Sequence, residues 1–303
     1  MAAAPKTHGY EIDVEDVEYL RHGDAPLLAR LFKPRGQGPF PALVELHGGA
    51  WCMGDRLNDT TINENLARAG IVVAALDFRV PPVASYPGSL MDINFGIRWM
   101  KSQATALHTR PDAVCTFGIS SGGHQAMLLG MRPRDSRYAS IALATGGDAT
   151  VKGVIMGAPV IDPIGRYRYA KQLKGSGVKY PEFVDMVLPL HDKYWKTEDA
   201  MSEASPVQML ERGERVELPP VLYIQDSRDI VHPRPQLERF VELYRKAGGT
   251  VDLQYGEGVA DAFAPRNPPP ALGRMYEKRD PSSSAASQTL DKMIAFIRTA
   301  TGC

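Results

Sequence analysis

The chain has 303 residues, 44% of them hydrophobic and 23% charged, which is ordinary for a globular protein and enough to bury a large core. Lysine plus arginine equals aspartate plus glutamate at 35 each, so there is no net field to gather nucleic acid or hold an anionic membrane surface. Cys52, Cys115 and Cys303 show neither the pairing of a disulfide scaffold nor metal-ligand spacing, which fits a reducing compartment and calls for no metal or other cofactor.

In chain order, the N-terminal segment lacks a basic start followed by an apolar run, and no stretch approaches the ~20 apolar residues of a membrane span. A soluble, cytoplasmic protein is expected, with a homodimer left open. Residues 14–19 and 27–32 read as short strands around a turn at 22–24. Residues 39–46 end in a compact apolar run that suits a buried parallel strand, which stops at the glycine loop His47-Gly48-Gly49-Ala50-Trp51. A helix is expected at 59–69, a buried strand at 71–78, and a helix at 89–103 from the spacing of Leu90, Ile93, Ile97 and Met100. A strand at 113–119 leads into Gly118-Ile119-Ser120-Ser121-Gly122-Gly123, after which a helix starts with QAMLLGM. Strands at 151–159 and 219–226 bracket about sixty irregular residues, and helix 235–247, strand 250–255 and helix 286–299 complete the series.

Strands alternating with helices imply one α/β domain over 1–303, a mostly parallel sheet flanked by helices, with ligands at the C-terminal strand ends. The unusual residues all fall just after predicted strands. Gly118–Gly122 has the form G-x-S-x-G between a strand and a helix, the context in which a tight turn thrusts a serine hydroxyl into the open. Ser120 is therefore the candidate nucleophile. The His47–Trp51 loop offers backbone N–H groups where charge develops on a carbonyl oxygen; Gly49 and Ala50, with the N–H of Ser121, are the candidate oxyanion donors. Asp229, in the loop after strand 219–226, is the candidate acid that orients a base, with Asp226 as its rival.

These segments resemble the hormone-sensitive-lipase branch of the α/β hydrolases. HGGAW, LDFRVPPVASYPGSLMD, RWM at 98–100, FGISSGGH and DSRDIVHP occur in the family's order, and the resemblance runs over roughly 15–298. It implies an α/β-hydrolase fold with an inserted helical cap at about 160–217. It also implies Ser–Asp–His chemistry on a small-molecule carboxylic ester.

One position departs. Where the branch places its histidine, the segment Tyr255–Phe263 carries Asp261, and no histidine follows His232. A carboxylate with an ordinary pKa of about 3.9 is a poor base at neutral pH, and beside Asp229 it would meet like charge. The expectation is an esterase inactivated or weakened by Asp261 in the base position, as an engineered inactivating substitution would leave it, and Asp261→His should restore it. Two alternatives stay open: a receptor-like binding protein, as in the plant gibberellin receptors that resemble the same branch, and a lyase or cyclase using the pocket. Of the other histidines only His232, three residues past Asp229, is a rescuing base. His47 and His124 read as structural, and His8, His22, His108 and His191 as surface or loop residues. Finally, Arg166-Tyr167-Arg168-Tyr169-Ala170-Lys171 reads either as a clamp for a carboxylate or aromatic substrate, or as a solvated helix face.

Overall fold

In the computed structural model, residues 9–264 and 279–303 are described; His8 lies outside them. The strands are β1 (Ile12–His22), β2 (Ala25–Pro34), β3 (Phe40–Leu46), β4 (Val72–Leu76), β5 (Thr109–Ile119), β6 (Val154–Gly157), β7 (Val221–Asp226) and β8 (Val251–Gly256). They form one sheet in the order β1-β2-β4-β3-β5-β6-β7-β8, antiparallel at β1–β2–β4 and parallel from β4 to β8.

Alternating residues of the central strands feed two cores. Ala42, Val44 and Leu46 of β3 face one side, with helices α2 (Gly88–Ser102), α3 (Ser121–Met131) and α8 (Arg234–Lys246) packed there. Leu43 of β3, with Cys115 and Phe117 of β5, faces the other, under α1 (Thr60–Arg68) and the C-terminal helix α9 (Ser284–Thr301). A strand buried on both faces favours apolar residues throughout, which is why β4 reads as an unbroken apolar run and β3 and β7 as near-continuous ones, interrupted by Glu45 and by Gln225-Asp226.

The 160–217 stretch holds four helices rather than irregular chain: α4 (Pro163–Gly175), α5 (Phe183–Trp195), α6 (Glu198–Glu203) and α7 (Pro206–Glu211). Their start signals are local. Asp162 accepts the Gly165 N–H with Pro163 opening α4, Thr197 caps α6, and Ser205 caps α7 with Pro206 behind it. α6 and α7 are only six residues long and α4 buries few apolar side chains, so periodicity passes over them; α5 does carry the period, at Phe183, Val184, Val187, Leu188 and Trp195.

Strand order fixes where the chain opens. From β3 the chain runs outward to β4, and from β5 it runs the opposite way to β6. The loops leaving β3 and β5 therefore diverge, and the crevice between their C-terminal ends is the place where such sheets bind ligands. His47–Trp51 leaves β3 and Ser120 leaves β5.

Candidate active site

Ser120 sits between β5 and α3 with φ 54° and ψ −116°, a strained conformation for a residue with a side chain. The neighbouring glycines are sterically required. A methyl group on Gly122 would run into the Leu46 carbonyl, and one on Gly118 into Gly122 itself. The helix therefore begins directly at Ser121, four residues earlier than its apolar run suggests, and aims its N-terminus at the serine.

The loop after β3 is also strained: Gly49, Ala50 and Trp51 all have positive φ. Gly49 takes φ +115° with its α-carbon so close to Met53 that no side chain fits. The N–H groups of Gly49 and Ala50 donate to no described residue. His47 holds the loop from beneath, its buried ring stacked on Phe78 at 4.1 Å and its Nδ1 donating to the Gly48 carbonyl at 2.8 Å. Trp51 is 1% exposed and packs against Tyr194, Trp195 and His191 of α5. Its Nε1–H donates to His124 Nδ1 at 3.2 Å, and His124 Nε2–H donates to the Ala204 carbonyl at 2.9 Å. Those partners fix His124 as a neutral imidazole, and burial pushes its pKa down to about 4. His191 is not a surface residue: it is fully buried in the same aromatic cluster.

The turn after β7 carries the titratable part. Asp229 Oδ1 accepts the N–H groups of Val231 (2.8 Å) and His232 (3.1 Å), closing the turn on itself. Asp229 Oδ2 accepts Nδ1–H of His232 at 2.8 Å, and His232 Nε2 lies 3.2 Å from Ser120 Oγ. Since a carboxylate can only accept, Nδ1 carries the proton and the Nε2 lone pair faces the serine hydroxyl. Burial pushes the Asp229 carboxyl up, but the His232 charge, its hydrogen bond and the two N–H groups together hold it below its ordinary value. Gln225 Nε2 donates to the His232 carbonyl at 2.8 Å and anchors the turn to β7. A cavity of about 450 Å³ opens over this arrangement, its apolar wall including Met53, Ile119, Met186, Val187 and Phe263.

The family described as BD-FAE matches residues 31–243, well over half of the chain. The chain belongs to that family. It is 28% identical to esterase LipC of Mycobacterium tuberculosis over 208 residues, 68% of this chain and 49% of that protein. It is 26% identical to the carboxylic ester hydrolase LipN of the same organism over 266 residues, 86% of this chain and 65% of that one. The chain thus spans about half the length of LipC. In fold it is similar to the carboxylesterase EstE1 from a metagenomic library, with TM-score 0.71 and 20% identity over 97% of this chain and 92% of that one. The BD-FAE chain is an α/β hydrolase of the hormone-sensitive-lipase-like branch.

Within this BD-FAE protein, the expectation that Asp261 stands in the base position needs correction. Asp261 opens a one-turn 3-10 helix, Asp261–Phe263, and its Oδ1 takes Arg228 Nη2 at 3.1 Å. The same guanidinium binds Asp226 at 2.6 Å, and Gly258 N–H donates to Asp226 Oδ2 at 2.8 Å. Asp226, Arg228 and Asp261 form an ion cluster that ties the turn after β7 to the loop after β8. Asp261 does not line the cavity among the described residues; Asp229 and His232 both do. The residue opposite Ser120 is thus His232, which the sequence admits as a rescuing base and which the usual order of acid, strand and histidine argues against. The signal for it is D-x-x-H directly after a strand. An aspartate closing a turn on the third residue beyond brings its own carboxylate to that residue's ring.

Proposed function

We propose that this chain is a serine carboxylesterase acting on small to medium esters. Ser120 is its nucleophile, His232 its general base and Asp229 the acid that orients and stabilises the base. The observation that carries this reading is the continuous relay from Ser120 Oγ to His232 Nε2 (3.2 Å) and from His232 Nδ1 to Asp229 Oδ2 (2.8 Å). Ser120 Oγ attacks the ester carbonyl as Nε2 takes its proton. The negative charge that develops on the carbonyl oxygen meets the N–H groups of Gly49, Ala50 and Ser121, an oxyanion hole held rigid by the strained loop. His232 then returns the proton to the leaving alkoxide. A water molecule, deprotonated by the same imidazole, releases the acid from the serine.

Residues 160–217 act as a cap on a single α/β-hydrolase domain, since Arg166, Met186 and Val187 of α4 and α5 form part of the cavity wall. The His232–Ser120 contact supports hydrolysis over the receptor-like and lyase alternatives, both of which presuppose that no imidazole faces the serine. The direct test is labelling with a p-nitrophenyl phosphonate. A single adduct on Ser120 is expected by peptide mass spectrometry, together with p-nitrophenyl butyrate turnover that Ser120→Ala abolishes. An unlabelled Ser120, or turnover surviving its loss, sinks the reading.

A further inference from the structure

The basic-aromatic run at the start of the cap divides in two. Arg168 and Lys171 are exposed and pair with Glu198, each at 3.2 Å, and Tyr167 donates to Asp192 at 2.6 Å. These form the solvated face of α4. Arg166 is different: it is 1% exposed and lines the cavity that holds Ser120 and His232. Its guanidinium lies over the Trp51 ring at 5.6 Å, and its Nε and Nη2 have no hydrogen-bond partner among the described residues.

A buried cation without a counter-ion is strongly unfavourable unless something supplies one. Of the acids of the cavity only Asp229 acts on Arg166, at a distance, and none hydrogen-bonds to it among the described residues. Both Asp229 oxygens are committed to His232 and to the turn. Asp55 accepts the Leu57 N–H at 2.8 Å, and Asp59 lies beside buried Glu45. Burial lowers the Arg166 pKa to about 9 against the opposing pull of the Asp229 charge, which still leaves the group charged at neutral pH. A planar fork of free N–H donors in a low-dielectric pocket is matched by a carboxylate, which it binds through charge-assisted hydrogen bonds.

We propose that the ester this site takes carries a carboxylate in the same molecule, and that Arg166 holds that carboxylate while Ser120 attacks the ester carbonyl. The inference rests on the esterase reading for its second half only; the anion site stands on Arg166 alone. Arg166 is on this account a specificity-determining residue.

The test uses the monomethyl half-esters of succinate, adipate and suberate, each against its neutral dimethyl ester. The three chain lengths cover the span between the two groups. Calorimetric titration of Ser120→Ala protein should show at least one half-ester binding more tightly than its diester. Adding Arg166→Met should cut that preference roughly 10- to 100-fold, the range for a hydrogen bond to a charged partner, and Arg166→Lys should retain part of it. In protein with Ser120 intact, the ratio of kcat/KM for half-ester over diester should fall by a similar factor in Arg166→Met. Because the readout is a ratio, a general loss of folding or activity does not move it. Half-esters that never bind better than diesters, or a preference untouched by Arg166→Met, overturn the proposal. If the intact protein hydrolyses no ester while Arg166-dependent binding persists, the esterase reading fails and the carboxylate site stands.

Discussion

Replacing His232 with alanine removes the Nε2 lone pair that faces Ser120 Oγ at 3.2 Å and leaves no other imidazole on that serine among the described residues. General-base assistance accelerates such steps by ~10²–10⁴, and a base held by a buried carboxylate belongs at the upper end. Four decades in kcat correspond to about 5 kcal/mol of barrier. The fold should lose much less. Asp229 keeps its bonds from the Val231 and His232 main-chain N–H groups, so the buried carboxylate is not orphaned. The assay is p-nitrophenyl butyrate turnover at pH 7.5, with thermal unfolding of the same preparations. His232→Ala is expected to lose about four orders of magnitude in kcat, with KM changed only a few-fold. Asp261→Ala provides the contrast and should keep its rate within about an order of magnitude, since the ion cluster is not part of the relay. A His232→Ala protein within tenfold of the parent, or an Asp261→Ala protein reduced as His232→Ala should be, would refute the assignment.

Other outcomes follow from the same geometry. Asp261→His should not raise the esterase rate. It removes one of the carboxylates on Arg228, and because that guanidinium is 38% exposed and keeps Asp226, losing this pair should cost about 1 kcal/mol or less, read as a lower unfolding midpoint. Gly122→Ala should be severely destabilising, by about 3 kcal/mol or more, because the added methyl meets the main chain of β3; denaturant titration measures it, and a parent-like midpoint would contradict the packing described. Burial raises the Asp59 pKa to about 6, so the folded chain holds this proton above the pH at which the unfolded chain releases it. That contribution to stability is present at low pH and is lost as pH rises from about 4 to about 6. Asp59→Asn should therefore gain on the parent across that window in unfolding free energy, and a difference independent of pH would count against it.

How much of this could be read from the sequence depends on how local each signal is. The glycines around Ser120 announce a strained turn because the steric requirement involves only residues a few positions apart, plus one crossing strand. The apolar runs of β3, β4 and β7 announce buried parallel strands for a similar reason. Asp261 misleads because family order alone assigns it a place opposite the serine. Its actual partner, Arg228, is set by how two loops meet, which no spacing in the chain reveals. His232 was half legible: its distance from Asp229 is a sequence fact, whereas its approach to Ser120 depends on the sheet bringing β5 and β7 within reach. Arg166 shows the same limit. It sits in a run that looks uniformly solvated, and only the packing of α4 on Trp51 separates it from Arg168 and Lys171.

Asp229 and His232 share a single turn after β7, and the bond between them is made within that turn, while Asp226 and Arg228 tie the same turn to the loop after β8. β8 is the last strand of the sheet, half-exposed along most of its length, and strands of that kind are among the first to open in a native protein. An opening of β8 would break the Arg228–Asp261 and Gly258–Asp226 contacts and change the cavity wall at Phe263, whereas the Asp229–His232 bond itself uses no residue of β8. Amide exchange along β8 therefore reports on the clasp that Asp226, Arg228 and Asp261 form between the two loops.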